Sequence, residues 1–150
     1  MSPGAERPAR VLIADDHVPG AELMEAYLGE TPYETRIAAN GEDTLRIVAE
    51  WQPDLILLDV MMPRISGFEV CKRLRADPAT HTIGILMVTA LDQPADVDRA
   101  VDAGTDDFLT KPINKAELLL RVRALLQSCS GPQPLARTLN YIRAVQHVQA

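Results

Sequence analysis

Five short segments, each followed by a helical pattern, constrain this chain more than any other feature. Residues 11–14, 55–58 and 83–88 are nearly continuous apolar runs, and 108–109 is a shorter one. Runs of this length without polar alternation suit strands covered on both faces. Residues 34–38 are more mixed and suit a strand at a sheet edge. Between these segments apolar residues recur at helical spacing. The groups are Leu23, Met24, Tyr27 and Leu28; Leu45, Val48 and Trp51 beside Thr44; Val70, Cys71 and Leu74; Val97, Ala100 and Val101; and Leu118, Val122, Leu125 and Leu126. Gly104 follows the fourth group as a helix-terminating glycine would. Asn114, with Glu117 three residues on, has the spacing of an N-cap with a capping box. Strands alternating with helices imply a parallel sheet with helices on both faces, and right-handed crossovers leave few arrangements. The expected fold is therefore α/β, a doubly wound five-stranded parallel sheet with five flanking helices over residues 10–127.

The flanks read differently. Residues 1–9 carry Pro3, Gly4 and Pro8 and no apolar period, as a flexible tail would. Residues 128–134 have linker composition. Beyond them Leu135, Leu139, Ile142 and Val145 recur at helical spacing in a segment with two arginines and no acids, which predicts a helical extension. A net charge of −6 over 150 residues makes direct nucleic-acid binding a poor expectation. No apolar run is long enough to span a bilayer and no signal-peptide pattern is visible, so the expected compartment is the cytoplasm. Two cysteines, Cys71 and Cys129, make neither a disulfide framework nor a zinc motif.

In open α/β sheets ligands bind beyond the carboxyl ends of the strands. Asp15 and Asp16 follow the first strand, Asp59 the third, Thr89 the fourth and Lys111 the fifth. Three carboxylates held close stay ionised together when a cation joins them. An all-oxygen set favours a hard ion, Mg²⁺ or Mn²⁺. A hard cation, an ammonium and a hydroxyl together describe a phosphoryl site, and a carboxylate inside one is a candidate nucleophile.

Asp15-Asp16, residues 59–67 (Asp-Val-Met-Met-Pro-Arg-Ile-Ser-Gly), Thr89-Ala90 and residues 106–112 (Asp-Asp-Phe-Leu-Thr-Lys-Pro) resemble the receiver domain of two-component response regulators, the CheY-like family. The resemblance covers about residues 10–127. It implies the flavodoxin-like strand order 2-1-3-4-5. It implies that Asp59 accepts a phosphoryl group from a histidine kinase or phosphotransfer protein. It implies Mg²⁺ held by Asp15, Asp16, Asp59 and the backbone carbonyl of Met61. Lys111 would pair with the acceptor and then the phosphoryl group, Thr89 would be the switch hydroxyl and Phe108 the switch aromatic. The Lys111–Pro112 peptide would be cis. Phosphorylation would alter the surface of the fourth helix, fifth strand and fifth helix, which contacts a downstream partner and can form a homodimer. Departures are Ser66 where many receivers have Asp, Arg64 where Gly is common, and Phe108 in place of the commoner Tyr.

Other readings stay open at this level. A pseudo-receiver would act as a constitutive interaction module without phosphate. A Mg²⁺-dependent phosphohydrolase would want a second acid two residues after the first, where Met61 stands. A nucleotide or flavin module would want a glycine-rich turn after the first strand, where Asp15-Asp16-His17 stands. The acidic pair could also simply cap the first helix, and His17 could touch the site.

Overall fold

β1 (Arg10–Ala14) divides its side chains between two cores. Leu12 and Ala14 join one buried cluster, and Val11 and Ile13 join the other. This follows from the two-residue period of a strand covered on both faces. The same division runs through β3 (Leu55–Leu58) and β4 (Gly84–Thr89), all of whose residues are buried. In a computed structural model residues 7–128 are described. The remaining elements are α1 (Val18–Tyr27) continued by a short 3-10 helix (Leu28–Glu30), β2 (Glu34–Ala38), α2 (Gly41–Trp51), α3 (Gly67–Ala76), α4 (Pro94–Ala103), β5 (Asp107–Thr110) and α5 (Lys115–Ser128). The tail and helical extension expected at the two ends lie mostly outside the described residues.

The five strands are parallel, as the sequence pattern predicts, and their order is β2-β1-β3-β4-β5, as the family resemblance implies. Helices α2, α3 and α4 cover the face of Leu12, Ile56 and Ile85, whereas α1 and α5 cover the face of Val11, Leu57 and Val88. The mixed strand β2 lies at one edge, as expected, and β5 at the other.

Local signals set the helix ends. Asn40 accepts the Asp43 N–H at 2.8 Å and starts α2. Ser66 accepts the Glu69 N–H at 3.3 Å and starts α3. Asn114 accepts the Glu117 N–H at 3.0 Å and starts α5. These contacts satisfy donors that a helix leaves open. Gly104, with φ 100°, ends α4 in the left-handed region that favours glycine. Arg75, near the end of α3, donates to the carbonyls of Gly104 and His81 and to Asp106, whose carboxylate also accepts the Ile85 N–H. That cluster ties α3 to the turn between α4 and β5. Trp51 ends α2 under the Arg36 guanidinium, 4.8 Å from the ring centre.

Two apolar groupings read from spacing need correction. Leu23 is 49% exposed, because α1 buries Ala21 and Met24 instead. On α4, Val97 is 38% and Val101 64% exposed, because Ala100 and Ala103 form the inward stripe. Small residues let α4 approach the sheet closely, and that turns the larger valines toward one flank.

Candidate functional site at the carboxyl edge of the sheet

Register explains why distant residues meet. Ala14 pairs with Leu58, so Asp15 and Asp59 leave the sheet at the same level on adjacent strands. The Asp59 N–H donates to the Ala14 carbonyl at 2.9 Å, and the Asp15 N–H donates to Ala38 at 3.1 Å. Thr89 pairs with Thr110, so Lys111 stands one residue beyond and reaches back with its long side chain. Asp15, Asp16 and Asp59 each offer an oxygen, and the three oxygens lie within 4.8 Å of one another.

Asp15 and Asp59 are buried, while Asp16 is exposed. The buried polar residues among those described are Asp15, Thr44, Asp59, Thr89 and Ser128. Thr44 and Ser128 hydrogen-bond to carbonyls of their own helices, so the rest of the buried polarity collects at this one edge. Buried polar groups persist where something answers them. Lys111 answers first: its ammonium lies 2.8 Å from Asp15 Oδ2 and 3.2 Å from Asp59 Oδ2. The Met61 N–H donates to Asp59 Oδ1 at 3.0 Å, and the His17 N–H donates to Asp15 Oδ1 at 2.9 Å.

The electrostatics balance unevenly. Burial raises the Asp59 pKa, and the Asp15 charge adds to it. The Met61 hydrogen bond and the Lys111 charge pull it down without cancelling the rise. For Lys111 burial opposes the charge, but the hydrogen bond and charge of Asp15 and those of Asp59 outweigh it and raise its pKa. One ammonium thus serves two buried carboxylates, with a third acid beside them. That surplus of negative oxygen fits a hard divalent cation, and the cluster could hold one. With no sulfur or imidazole nitrogen among the three acids, the set is unlike a zinc site.

Thr89 is fully buried at the tip of β4. Its hydroxyl accepts the Leu91 N–H at 3.4 Å, and its carbonyl accepts the Lys111 N–H at 2.8 Å. Sheet alternation sets Thr89 and Phe108 on the side of α4, opposite the side of Asp15 and Asp59. Phe108 is half-buried, packs against that core and lines a concavity with Pro112 and Ile113. The Lys111–Pro112 peptide is cis.

The supporting residues were less visible in the sequence. The acidic pair does not cap α1; His17 does, through Nδ1, which accepts the Gly20 N–H at 3.2 Å. That leaves Asp15 Oδ2 for the ammonium. Gly67 lets α3 press against the loop that carries Asp59, since a Cβ there would sit 2.3 Å from the Asp59 carbonyl oxygen. Arg64 adopts φ 67° in that same loop, where the resemblance had already marked a missing glycine.

Comparison with known proteins agrees with this geometry. The family model described as the response regulator receiver domain matches residues 11–123. The chain belongs to the response regulator receiver family. Receiver domains are signalling switches rather than metabolic enzymes, and they bind Mg²⁺ in general. Response regulator PleD of Caulobacter vibrioides is 44% identical over 117 residues, 78% of this chain and 26% of that protein. The DNA-binding dual master transcriptional regulator RpaA of Synechocystis is 44% identical over 118 residues, 79% of this chain and 49% of that protein. The chain therefore spans about a quarter to a half of the length of these two relatives. Among solved structures, the signal receiver domain of a signal transduction histidine kinase from Syntrophus aciditrophicus superposes with a TM-score of 0.77 at 35% identity, covering 84% of this chain and 96% of that one. No described helix of this receiver is long and apolar enough to cross a membrane.

Proposed function

We propose that this receiver is a phosphorylation-controlled switch with Asp59 as the phosphoacceptor, embedded in a unit of residues 10–127 flanked by appendages at 1–9 and 128–150. The observation that carries the reading is a buried Asp59 carboxylate facing both the Lys111 ammonium and the Asp15–Asp16 pair. The proposed Mg²⁺ ligands are Asp15, Asp16, Asp59 and the backbone carbonyl of Met61. Bound there, the cation offsets repulsion between these carboxylates and the incoming phosphoryl oxygens.

The donor is a phosphohistidine on a kinase or phosphotransfer protein. An Asp59 oxygen attacks phosphorus as the P–N bond breaks, and the imidazole leaves with the electron pair. The Lys111 ammonium, already within 3.2 Å of Asp59, shifts its hydrogen bond to a phosphoryl oxygen. The Thr89 hydroxyl donates to another. Its displacement changes the space on the α4 side that Phe108 shares. Lacking a phenolic hydroxyl, Phe108 signals through packing alone. The α4–β5–α5 surface then takes a second arrangement, which binds a downstream protein or output domain or a second copy of the chain. At a net charge of −6 the receiver does not itself contact nucleic acid.

Calorimetric titration with Mg²⁺ tests the site. Wild type should bind, and Asp16→Asn should bind at least about tenfold more weakly, as loss of a charged ligand commonly does. Failure of wild type to bind would favour a constitutive interaction module.

A further inference from the structure

One flank of α4 is apolar and open. Val97 and Val101 lie one turn apart and are 38% and 64% exposed. Arg99 identifies the other flank, since its guanidinium stacks on Phe68 of α3 at 4.3 Å. The valines therefore turn toward the β5 edge. Separately, β5, the loop after it and the start of α5 line a concavity of about 320 Å³ with Phe108, Pro112, Ile113 and Glu117, to which α4 contributes no residue. The exposed acids Asp98 and Asp102 run along the solvent side of the same valines.

Residues 135–148 lie outside the described part and match this face in three respects. Leu135, Leu139, Ile142 and Val145 fall on one stripe at helical spacing. Residues 129–150 hold Arg137, Arg143 and His147 and no acid, opposite in sign to the rim of α4. The lengths also agree. In a parallel sheet with helical crossovers, α4 and α5 both end at the amino-terminal edge of the strands. From Ser128 the six residues 129–134 reach up to about 20 Å when extended, enough to pass β5 to the end of α4. The eleven residues from Leu135 to Val145 that carry the stripe then cover about 16 Å as a helix, close to the length of about 15 Å of the ten-residue α4.

We propose that residues 135–148 dock as an amphipathic helix on this α4–β5 face of their own chain. Leu139 and Ile142 pack on Val97 and Val101, and Arg143, on the flank of that stripe, lies beside the acidic rim of Asp98 and Asp102, while Arg137 falls on the far side of the helix. An isolated helix of that length is marginal in water, so it forms on docking. The tail then competes with any partner for the face. Phe108 packs on the core that holds Ala100 and Ala103 of α4, so movement of that ring would alter the tail's seat; this consequence rests on the phosphorylation reading, whereas the docking does not.

Methyl NMR on the full chain tests the docking. Leu139→Asp with Ile142→Asp should shift the Val97 and Val101 methyl signals and leave those of Val11 and Val48 in place. Val101→Asp, at a position already 64% exposed, should release the tail while the domain stays folded, read as a sharp rise in backbone mobility at Tyr141. Unchanged Val97 and Val101 signals in the double variant would overturn the proposal. So would shifts that grow with protein concentration alongside dimer in sedimentation, which would make a second copy the occupant.

Discussion

The carbonyl of Asp59 occupies the space that a side chain at residue 67 would need. A Cβ on Gly67 would fall 2.3 Å from that oxygen and 2.7 Å from the Val60 Cα. The Gly67 N–H also donates to the Val60 carbonyl at 2.9 Å, so the start of α3 is clamped onto the acceptor loop. Helix and acidic site cannot move independently here.

Gly67→Ala therefore pushes backbone against backbone, where no side chain can give way. Overpacking of this kind costs about 1–3 kcal/mol. Urea denaturation should show that loss, and the folded fraction should accept phosphoryl groups more slowly because Asp59 is displaced.

Asp59 has its pKa raised by burial and by Asp15. The folded state therefore favours its protonated form. Such a group stabilises the fold below its unfolded pKa, and that stabilisation is lost as pH rises through the folded pKa. At neutral pH the metal-free fold carries the cost of a buried anion. Asp59→Asn should be more stable than wild type by the order of 1 kcal/mol in EDTA. The gap should close as pH falls into the ordinary carboxylate range. Saturating Mg²⁺ should narrow or reverse it, because a ligand stabilises the form that binds it. Thermal melts at several pH values, with and without Mg²⁺, check all three.

Much of this site was legible because it is carried by strand ends. Continuous apolar runs placed β1, β3 and β4, and the residue after each run is a functional candidate by topology alone. Lys111 was found in the same way, although β5 is short. The supporting residues were not legible. His17 gave no sign that its ring would cap α1, since ordinary capping preferences favour the aspartates beside it. Val97 and Val101 looked like core because spacing alone does not weigh size, and Ala100 with Ala103 took the inner face. The Arg75–Asp106 ion pair joins side chains 31 residues apart, a pairing that helical or strand spacing does not single out.

Arg64 sits at φ 67° and pairs with Glu42 at 3.2 Å in an exposed contact. The left-handed conformation costs a non-glycine residue about 1–2 kcal/mol. An exposed ion pair returns about 0–1 kcal/mol. Glycine brings its own entropic cost of about 0.5–1 kcal/mol. Arg64→Gly should leave a small net gain, about 0.3 kcal/mol, visible as a slightly higher urea midpoint at unchanged slope.

Cys71 is fully buried on α3, and its Sγ lies 3.2 Å from the Ala103 carbonyl. Burial pushes its thiol pKa up to about 11. Both effects suppress the thiolate that reacts. In a Cys129→Ser background, Ellman's reagent at mildly alkaline pH should label Cys71 only as fast as the protein unfolds. Rapid labelling of folded protein would show that α3 and α4 separate readily.

The central claim is that Asp59 takes a covalent phosphoryl group. The most direct measurement is intact-protein mass after incubation with acetyl phosphate and Mg²⁺, run beside Asp59→Asn and an EDTA control. The account predicts one added phosphoryl group on wild type and none in either control. No addition to a wild type that binds Mg²⁺, or equal addition to Asp59→Asn, would contradict it.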